Sequence, residues 1–227
     1  MHIPDIHGAE PRRIEALFSL GGARVLDVGC GEGRLTGFAA TRAARVYAFD
    51  PNAERLEQAR AAADAERVRF GVHGAEAPDV DRESFDVALC GWSLCCVEPE
   101  GVVAALTRIH AALVPGGRVV DAGPVSLRLP VTLGGERVGE LEDDEWLEIV
   151  AAVDDEVEKM VASGLFELSY EKRHAVVHEF GSGDECLDVV GSLAGTTVPD
   201  GVAARPEHAS ACATVEHDVR LRLFFGR

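Results

Sequence analysis

The sequence predicts an α/β fold, a doubly wound sheet of seven strands that is mostly parallel, with one antiparallel strand and helices on both faces. Two observations lead to this prediction. Short aliphatic runs alternate with segments of helical periodicity from residue 23 to residue 123, as parallel strands joined by helical crossovers do. The first of these runs also ends in a glycine-rich turn that opens directly into a helix.

The glycine-rich turn is the strongest signal in the chain. The apolar run over 23–28 suits a strand buried on both faces, and it breaks at three glycines that alternate with Cys30 and Glu32. A helix is expected over 34–42. Because glycine has no side chain, a ligand can reach the backbone of the turn, and the helix N-terminus offers free N–H groups. The turn therefore predicts a nucleotide-cofactor site. The dinucleotide pattern G-x-G-x-x-G fails here, because Arg34 stands at its third glycine.

Four further strands and three more helices complete the predicted α/β segment. The first of these helices precedes the first strand. The strands are expected over 45–50, 68–73, 84–90 and 118–123, and the helices over 11–20, 52–64 and 99–113. Asp50 ends the second strand, 19 residues after Gly31. An acid at that position accepts hydrogen bonds from both ribose hydroxyls, so it predicts a nucleoside ligand without saying which one.

Beyond residue 123 the pattern weakens. We expect an irregular arm over 126–140, a helix from Asp143 or Asp144 to Ser163, a strand over 172–180, a short helix over 183–193, a loop over 197–206 and a last strand over 215–225. His174 and His178 share a face of their strand but lie roughly 13 Å apart by strand rise, so one metal ion cannot take both. Each is interpreted as a structural histidine, with a general base as the alternative.

Composition excludes several classes. Acids outnumber bases by 39 to 22, for a net charge of −17, which disfavours a phosphate backbone as partner. No apolar run reaches the length of a membrane span, and Met1–Asp5 does not resemble a signal peptide, so a cytoplasmic protein is expected. The six cysteines are then expected to be thiols, and Cys95 and Cys96 are interpreted as small apolar fillers rather than nucleophiles.

With Asp27 two residues ahead of the first glycine, the stretch 25–33 resembles the first motif of the class I S-adenosylmethionine-dependent methyltransferases. Phe85-Asp86 at the mouth of the fourth strand and the Leu-x-Pro-Gly-Gly turn over 113–117 add to the resemblance. It covers 20–123 with good specificity and the remainder loosely. The resemblance implies a Rossmann-like fold in which the final two strands form an antiparallel pair at the sheet edge.

The resemblance also implies a domain plan and a cofactor. One domain is expected over 1–227, with a cofactor-binding core over 20–123 and substrate-side elaborations over 124–165 and 181–210. S-adenosylmethionine is the implied cofactor and S-adenosylhomocysteine its product. The implied binding residues are Asp27, Gly29, Cys30, Gly31 and Gly33 for the methionine portion, Asp50 for the ribose, with Pro51 next to it, Ala75 and Glu76 for adenine, and the Cys90 carbonyl and Trp92 beside the amino acid part and the methyl group.

The implied reaction is in-line displacement of the sulfonium methyl group by a small-molecule acceptor. The amino-methylation motif Asn/Asp-Pro-Pro-Tyr/Phe is missing, since Gly91–Leu94 stands in its place. No catalytic residue is assigned, because a correctly positioned nucleophile suffices unless the acceptor atom carries a proton. No metal site is assigned, because no pair of cysteines or histidines has the spacing of metal ligands. The alternatives are a protein or RNA methyltransferase, and a non-catalytic protein that binds S-adenosylmethionine or NAD.

Overall fold

The computed structural model describes residues 9–63, 66–125, 129–141, 144–191 and 212–227, with the side chains of 145 and 189–191 excepted. These ranges contain six α-helices and nine strands. In chain order they are α1 Ala9–Leu17, β1 Arg24–Val28, α2 Arg34–Ala40, β2 Arg45–Asp50, α3 Ala53–Ala62, β3 Val68–Val72, β4 Phe85–Gly91, α4 Pro99–Ala112, β5 Leu113–Pro124, β6 Leu129–Leu133, β7 Glu136–Leu141, α5 Asp144–Ala162, β8 Phe166–Phe180, α6 Gly183–Gly191 and β9 Ala213–Gly226.

One compact unit contains the parallel sheet. It consists of Pro11–Gly123, Ala151–Lys172 and Arg220–Arg227. Its parallel strands follow the order β3-β2-β1-β4-β5, which reverses direction between β1 and β4. Ligands of open α/β sheets bind at such a reversal, outside the carboxyl ends of the strands.

The central strands of this unit are apolar along their length because helices cover both faces of the sheet. Val25, Leu26 and Leu89 are fully buried, as is Phe49 on β2. The register pairs Val28 with Phe49. Adjacent strands therefore end at one level, and the residues that follow them meet at one edge of the sheet.

The second unit contains an antiparallel hairpin that sequence analysis missed. Its ranges are Met1–Glu10, Pro124–Val150 and Arg173–Val219. In its described part, β6 and β7 pair antiparallel around Gly134 and Gly135, whose φ angles are +57° and +87°. Positive φ at both central residues is typical of a two-residue hairpin turn, and it explains the glycine pair. The prediction of an irregular arm over 126–140 is therefore wrong.

Among the described residues the sheet has nine strands rather than the predicted seven. The additions are β6 and β7, and β6 also pairs antiparallel with β9, with Val131 opposite Val215. In the sheet order β9 stands between β5 and β6, and β8 pairs with β9 alone. The mostly parallel α/β sheet with an antiparallel region is confirmed.

Several element boundaries differ from the prediction. Helix α1 ends at Leu17 rather than Leu20, and α5 begins at Asp144, with Asp143 outside the described residues. The turn over 113–117 is a bulge inside β5, because Leu113 and Arg118 both pair with β4. The predicted loop over 197–206 lies outside the described residues.

Within the described ranges, no helix has the length and hydropathy needed to cross a membrane.

Candidate cofactor site

The glycine turn contains three glycines with left-handed backbone conformations, and they differ in what lies next to their Cα atoms. The φ angles are +64° at Gly29, +54° at Gly31 and +90° at Gly33. An added Cβ would lie 2.5 Å from the Ser93 Cβ at Gly29 and 3.0 Å from the Ala59 Cβ at Gly33. At Gly31 it would meet nothing within 4 Å. Two glycines thus serve packing, and the middle one faces open space.

Asp50 is fixed beside this turn by two backbone donors. Its Oδ2 accepts a hydrogen bond from the Gly31 N–H at 2.9 Å, and its Oδ1 accepts one from the Asn52 N–H at 2.8 Å. The carboxylate is only 7% exposed. Each oxygen keeps a second lone pair, so the carboxylate is oriented and still able to accept two hydroxyl hydrogen bonds. We call Gly29–Gly33 and Asp50 together the cradle.

Asp27 lies beneath the turn and is 1% exposed. Its Oδ2 accepts a 2.6 Å hydrogen bond from the Thr36 hydroxyl in the first turn of α2. Thr36 is completely buried, and sequence analysis did not single it out. The hydrogen bond fixes the carboxylate against the start of α2.

The loop after β3 carries the residues predicted to contact adenine. Ala75 is 8% exposed and Glu76 is exposed, while Pro51 lies exposed after β2. The Glu76 side chain reaches the first turn of α4, where a Cβ added at Gly101 would meet its Cγ and Oε1 at 3.1 Å. A carboxylate at a helix N-terminus is favourable, because the free N–H groups there carry partial positive charge.

The segment after β4 has a strained backbone at Trp92. This residue has a φ of +60°, and its N–H donates a 2.6 Å hydrogen bond to the Ala122 carbonyl. Single bulky residues with positive φ are rare and cluster at functional sites. The next residues form a single 3₁₀ turn over Leu94–Cys96, and Ser93 packs on Gly29.

The thiols near the cradle differ sharply in environment. Burial raises the pKa of Cys30 and of Cys90, and the Asp27 carboxylate raises both further. A hydrogen bond with Cys96, together with burial, raises the pKa of Cys95. Cys96 is exposed, and the hydrogen bond from Cys95 lowers its pKa to about 7. The interpretation as an apolar filler fits buried Cys95 and is wrong for Cys96.

The two predicted histidines belong to the second unit, and both are buried: His174 is 8% and His178 0% exposed. The His178 ring lies edge-on to the ring of His217, with centroids 4.7 Å apart. Burial and the neighbouring His178 lower the pKa of His217 to about 3. His217 was not singled out, because it has no periodic partner on its own strand.

A buried ion network lies in the same unit as the cradle, and sequence analysis did not find it. Arg222 donates from Nε and Nη2 to Asp121 Oδ2, at 2.9 and 2.5 Å. Its Nη2 also lies 3.2 Å from Asp154 Oδ1, which pairs with Arg220 as well. Asp121 stands opposite Cys90 in the β4–β5 register. The network therefore ties β9, β5 and α5 together next to the strand that leads into Trp92.

Residues 25–117 match the model of a family described as a methyltransferase domain. This segment belongs to that family. For this segment the predicted methyltransferase family is thereby confirmed. The matched segment runs from β1 into β5 and contains the whole cradle.

Named relatives align with the methyltransferase domain. A ubiquinone biosynthesis O-methyltransferase of Bradyrhizobium diazoefficiens is 34% identical over 110 residues, which are 48% of this chain and 43% of that protein. One of Xanthomonas oryzae pv. oryzae is 32% identical over 147 residues, 60% of each chain. The chain thus matches about half the length of these relatives.

Solved structures share the fold. An S-adenosylmethionine-dependent methyltransferase from Mesorhizobium loti superposes with a TM-score of 0.57 at 20% identity, covering 95% of this chain and all of that one (100%). At that identity the likeness shows the arrangement of helices and strands alone.

The glycines of the methyltransferase domain give a test that separates packing from ligand contact. Gly29→Ala places a methyl group 2.5 Å from Ser93 at positive φ, so we expect a loss of about 2–4 kcal/mol in the free energy of unfolding. Gly31→Ala meets only backbone strain, about 1 kcal/mol, but its methyl group projects into the open space of the cradle.

Urea unfolding and calorimetric titration with S-adenosylhomocysteine distinguish the two variants. Gly31→Ala is expected to lose ligand affinity at least tenfold while remaining the more stable of the pair. Equal stability losses, or undiminished affinity in Gly31→Ala, would contradict the packing described here.

Proposed function

We propose that the protein transfers the methyl group of S-adenosylmethionine to a hydroxyl group of a small molecule. The observation that carries the proposal is the cradle: an open Gly31 and an oriented Asp50 carboxylate stand side by side at the strand-order reversal. Two relatives whose names specify O-methyltransferases support the choice of a hydroxyl acceptor. The net charge of −17 supports a small molecule over RNA.

The residues present fit the cofactor. Open space above Gly31 gives a ligand access to the backbone of the turn, and α2 begins directly after Gly33. Asp50 has lone pairs left for the two ribose hydroxyls. Asp27 places a buried carboxylate beneath the turn, and a carboxylate suits the ammonium group of the methionine portion. Ala75 and Glu76 would border adenine, and the Cys90 carbonyl and Trp92 would lie beside the methyl group.

When bound, S-adenosylmethionine supplies a methyl group that the sulfonium charge has already activated for displacement. The chain's part is to hold that group and the acceptor in line and to exclude water. Asp50 and the turn orient the nucleoside and methionine ends. The strained Trp92 segment, which follows β4, would border the path of the acceptor. A hydroxyl acceptor must also give up a proton during transfer, and no residue is assigned as its base.

The experiment combines binding with an acceptor screen. Calorimetric titrations with S-adenosylhomocysteine and with NADH are run in parallel, and methyl-labelled S-adenosylmethionine is then offered with matched phenols, amines and thiols. We expect binding of S-adenosylhomocysteine alone, and label in the phenols. NADH binding alone would overturn the cofactor assignment. Label confined to amines or thiols would overturn the hydroxyl acceptor, and label in added protein or RNA would overturn the small-molecule class.

A further inference from the structure

His73 is the first residue past the end of β3, at the point where the chain leaves the sheet. Strand β3 stands at one end of the sheet order and pairs with β2. The register between them ends with Asp50 opposite Val72, so the residues that follow leave the ladder beside the Asp50 carboxylate. We call residues 74–78, which come directly after His73, the adenine loop.

The His73 ring contacts two aromatic residues of β2. Its Nε2 lies 3.0 Å from the Tyr47 hydroxyl oxygen, in a hydrogen bond to which either group can donate. The ring stacks on Tyr47 with centroids 6.0 Å apart and lies tilted against Phe49 at 4.4 Å. Packing and a polar contact therefore both attach the start of the adenine loop to β2.

Gly71 leaves the room that this contact needs. It stands opposite Phe49 in the register, and it shares a face of β3 with His73 because side chains alternate along a strand. A Cβ added at Gly71 would overlap the Tyr47 hydroxyl oxygen and lie 2.6 Å from His73 Nε2. A side chain at this position would thus occupy the place of the hydrogen bond, as expected where a strand glycine permits a close approach.

Phe49 connects the His73 contact to the cradle. It is fully buried, and its carbonyl accepts a 2.9 Å hydrogen bond from the Cys30 N–H in the glycine turn. Asp50 is the next residue along the chain. The ring that supports His73 therefore belongs to the strand end that anchors the glycine turn and carries the Asp50 carboxylate.

Both ends of the adenine loop act on the His73 ring. Burial lowers the pKa of His73, while the Gly74 carbonyl and the charge of Asp79 oppose that shift. Gly74 is the first residue of the loop and Asp79 directly follows it. Because the pKa lies below its ordinary value, the ring is neutral at pH 7 and can either donate to or accept from Tyr47.

We propose that His73 is a positioning residue that holds the adenine loop in register with the cradle, and that its bond with Tyr47 thereby sets a preference for adenine over hypoxanthine in the bound nucleoside. The proposal rests on the proposed function, in which Ala75 and Glu76 border adenine. A carboxylate only accepts hydrogen bonds, so Glu76 favours the exocyclic amino group of adenine and disfavours the oxo group of hypoxanthine. That discrimination requires the loop to be held in place.

The preference is measured by calorimetric titration with S-adenosylhomocysteine and with S-inosylhomocysteine, which carries hypoxanthine. We expect the wild type to bind the adenine ligand at least about tenfold more tightly. Tyr47→Phe deletes only a hydroxyl group, and His73→Phe keeps a ring against Phe49. Each should bring the two affinities within about threefold of each other, with the affinity for S-inosylhomocysteine close to its wild-type value.

Tyr170→Phe is the matched control, since it removes the other tyrosine hydroxyl of the chain, on β8. It should keep the full preference for adenine. A general loosening of the fold would lower both affinities alike and leave their ratio unchanged. An unchanged ratio in Tyr47→Phe and His73→Phe therefore overturns the proposal.

Gly71→Ala tests the same hydrogen bond from the neighbouring position. Its methyl group displaces the Tyr47 hydroxyl from His73, so the preference should fall as it does in Tyr47→Phe. The double variant should lose no more than the larger single loss, because both substitutions break one bond. Losses that add would show that the two positions act separately, which overturns the role assigned to the bond.

Hydrogen exchange gives a readout that needs no ligand. Amides of the adenine loop should exchange at least about threefold faster in Tyr47→Phe than in Tyr170→Phe, while the amides of β1 stay equally protected. Equal exchange in the adenine loop of the two variants overturns the positioning role.

The two proposals fail in different ways. If the wild type binds neither nucleoside ligand, the proposed function is contradicted and the adenine preference falls with it, while exchange in the loop still decides the positioning role. If the wild type binds both ligands equally well, the preference is overturned and the proposed function stands.

Discussion

Asp50→Ala is expected to lower the affinity for S-adenosylhomocysteine by at least about 100-fold, while leaving the fold intact. Hydrogen bonds to a charged acceptor contribute roughly 1.5–3 kcal/mol each, and the proposed ribose contact has two of them. The substitution also releases the Gly31 and Asn52 N–H groups that the carboxylate now holds, so the turn loses its orientation. Isothermal calorimetry of the wild type and the variant measures the effect directly.

Glu54→Ala is the matched control for Asp50→Ala. Glu54 is an exposed carboxylate in the first turn of α3, four residues from Asp50, so its removal changes the local charge equally without touching the cradle. Its affinity should stay within about threefold of the wild type. Asp50→Asn, which keeps one acceptor oxygen, should fall between the two. An affinity for Asp50→Ala equal to that of Glu54→Ala would contradict the assignment of Asp50 to the ribose.

Arg222→Met is expected to produce the largest loss of stability, about 3–5 kcal/mol in the free energy of unfolding. The side chains of Arg222 and Asp121 are 6% and 8% exposed, so the variant leaves a carboxylate buried without its main partner. The cost of that unpaired charge, rather than the strength of the pair, accounts for the size of the effect. Urea denaturation at neutral pH measures it.

A double-variant cycle separates the two contributions. Arg222→Met combined with Asp121→Leu removes both charges, and most of the lost stability should return. The exposed pair of Arg227 and Glu167 is the control, with side chains 61% and 56% exposed, and Glu167→Gln should cost less than about 1 kcal/mol. If the double variant is as unstable as Arg222→Met, the loss comes from packing and the buried-charge explanation is wrong.

Local patterns in the sequence were sufficient for the parallel core. The strand ending in Val28, the glycine turn after it and the acid at Asp50 each depend on residues close in sequence, and the structure has the turn and the acid in contact. The hairpin of β6 and β7 was also visible in principle, since Gly134-Gly135 between apolar runs is a hairpin signal. The hairpin was missed because the residues on either side of the glycine pair show only weak alternation of apolar and polar side chains.

The contacts that tune the site were beyond the sequence. Thr36 to Asp27, Ser93 against Gly29 and Arg222 to Asp121 join residues up to 101 positions apart, and no pattern marks such pairs in a single sequence. Cys96 shows the same limit. Its neighbours in sequence include no histidine or lysine, and only folding brought Arg55 and Asp50 within electrostatic reach.

The sequence by itself therefore determined the methyltransferase resemblance and the strand ends at which a nucleotide cofactor is expected, because these follow from local backbone requirements at Gly29–Gly33 and from one acid at Asp50. The tertiary structure alone decided the nine strands of the described residues, the buried partner of Asp121 and the unequal exposure of Cys95 and Cys96. The physical reason is the same in each case. Burial, charge pairing and strand addition depend on residues distant along the chain, which only the fold brings together.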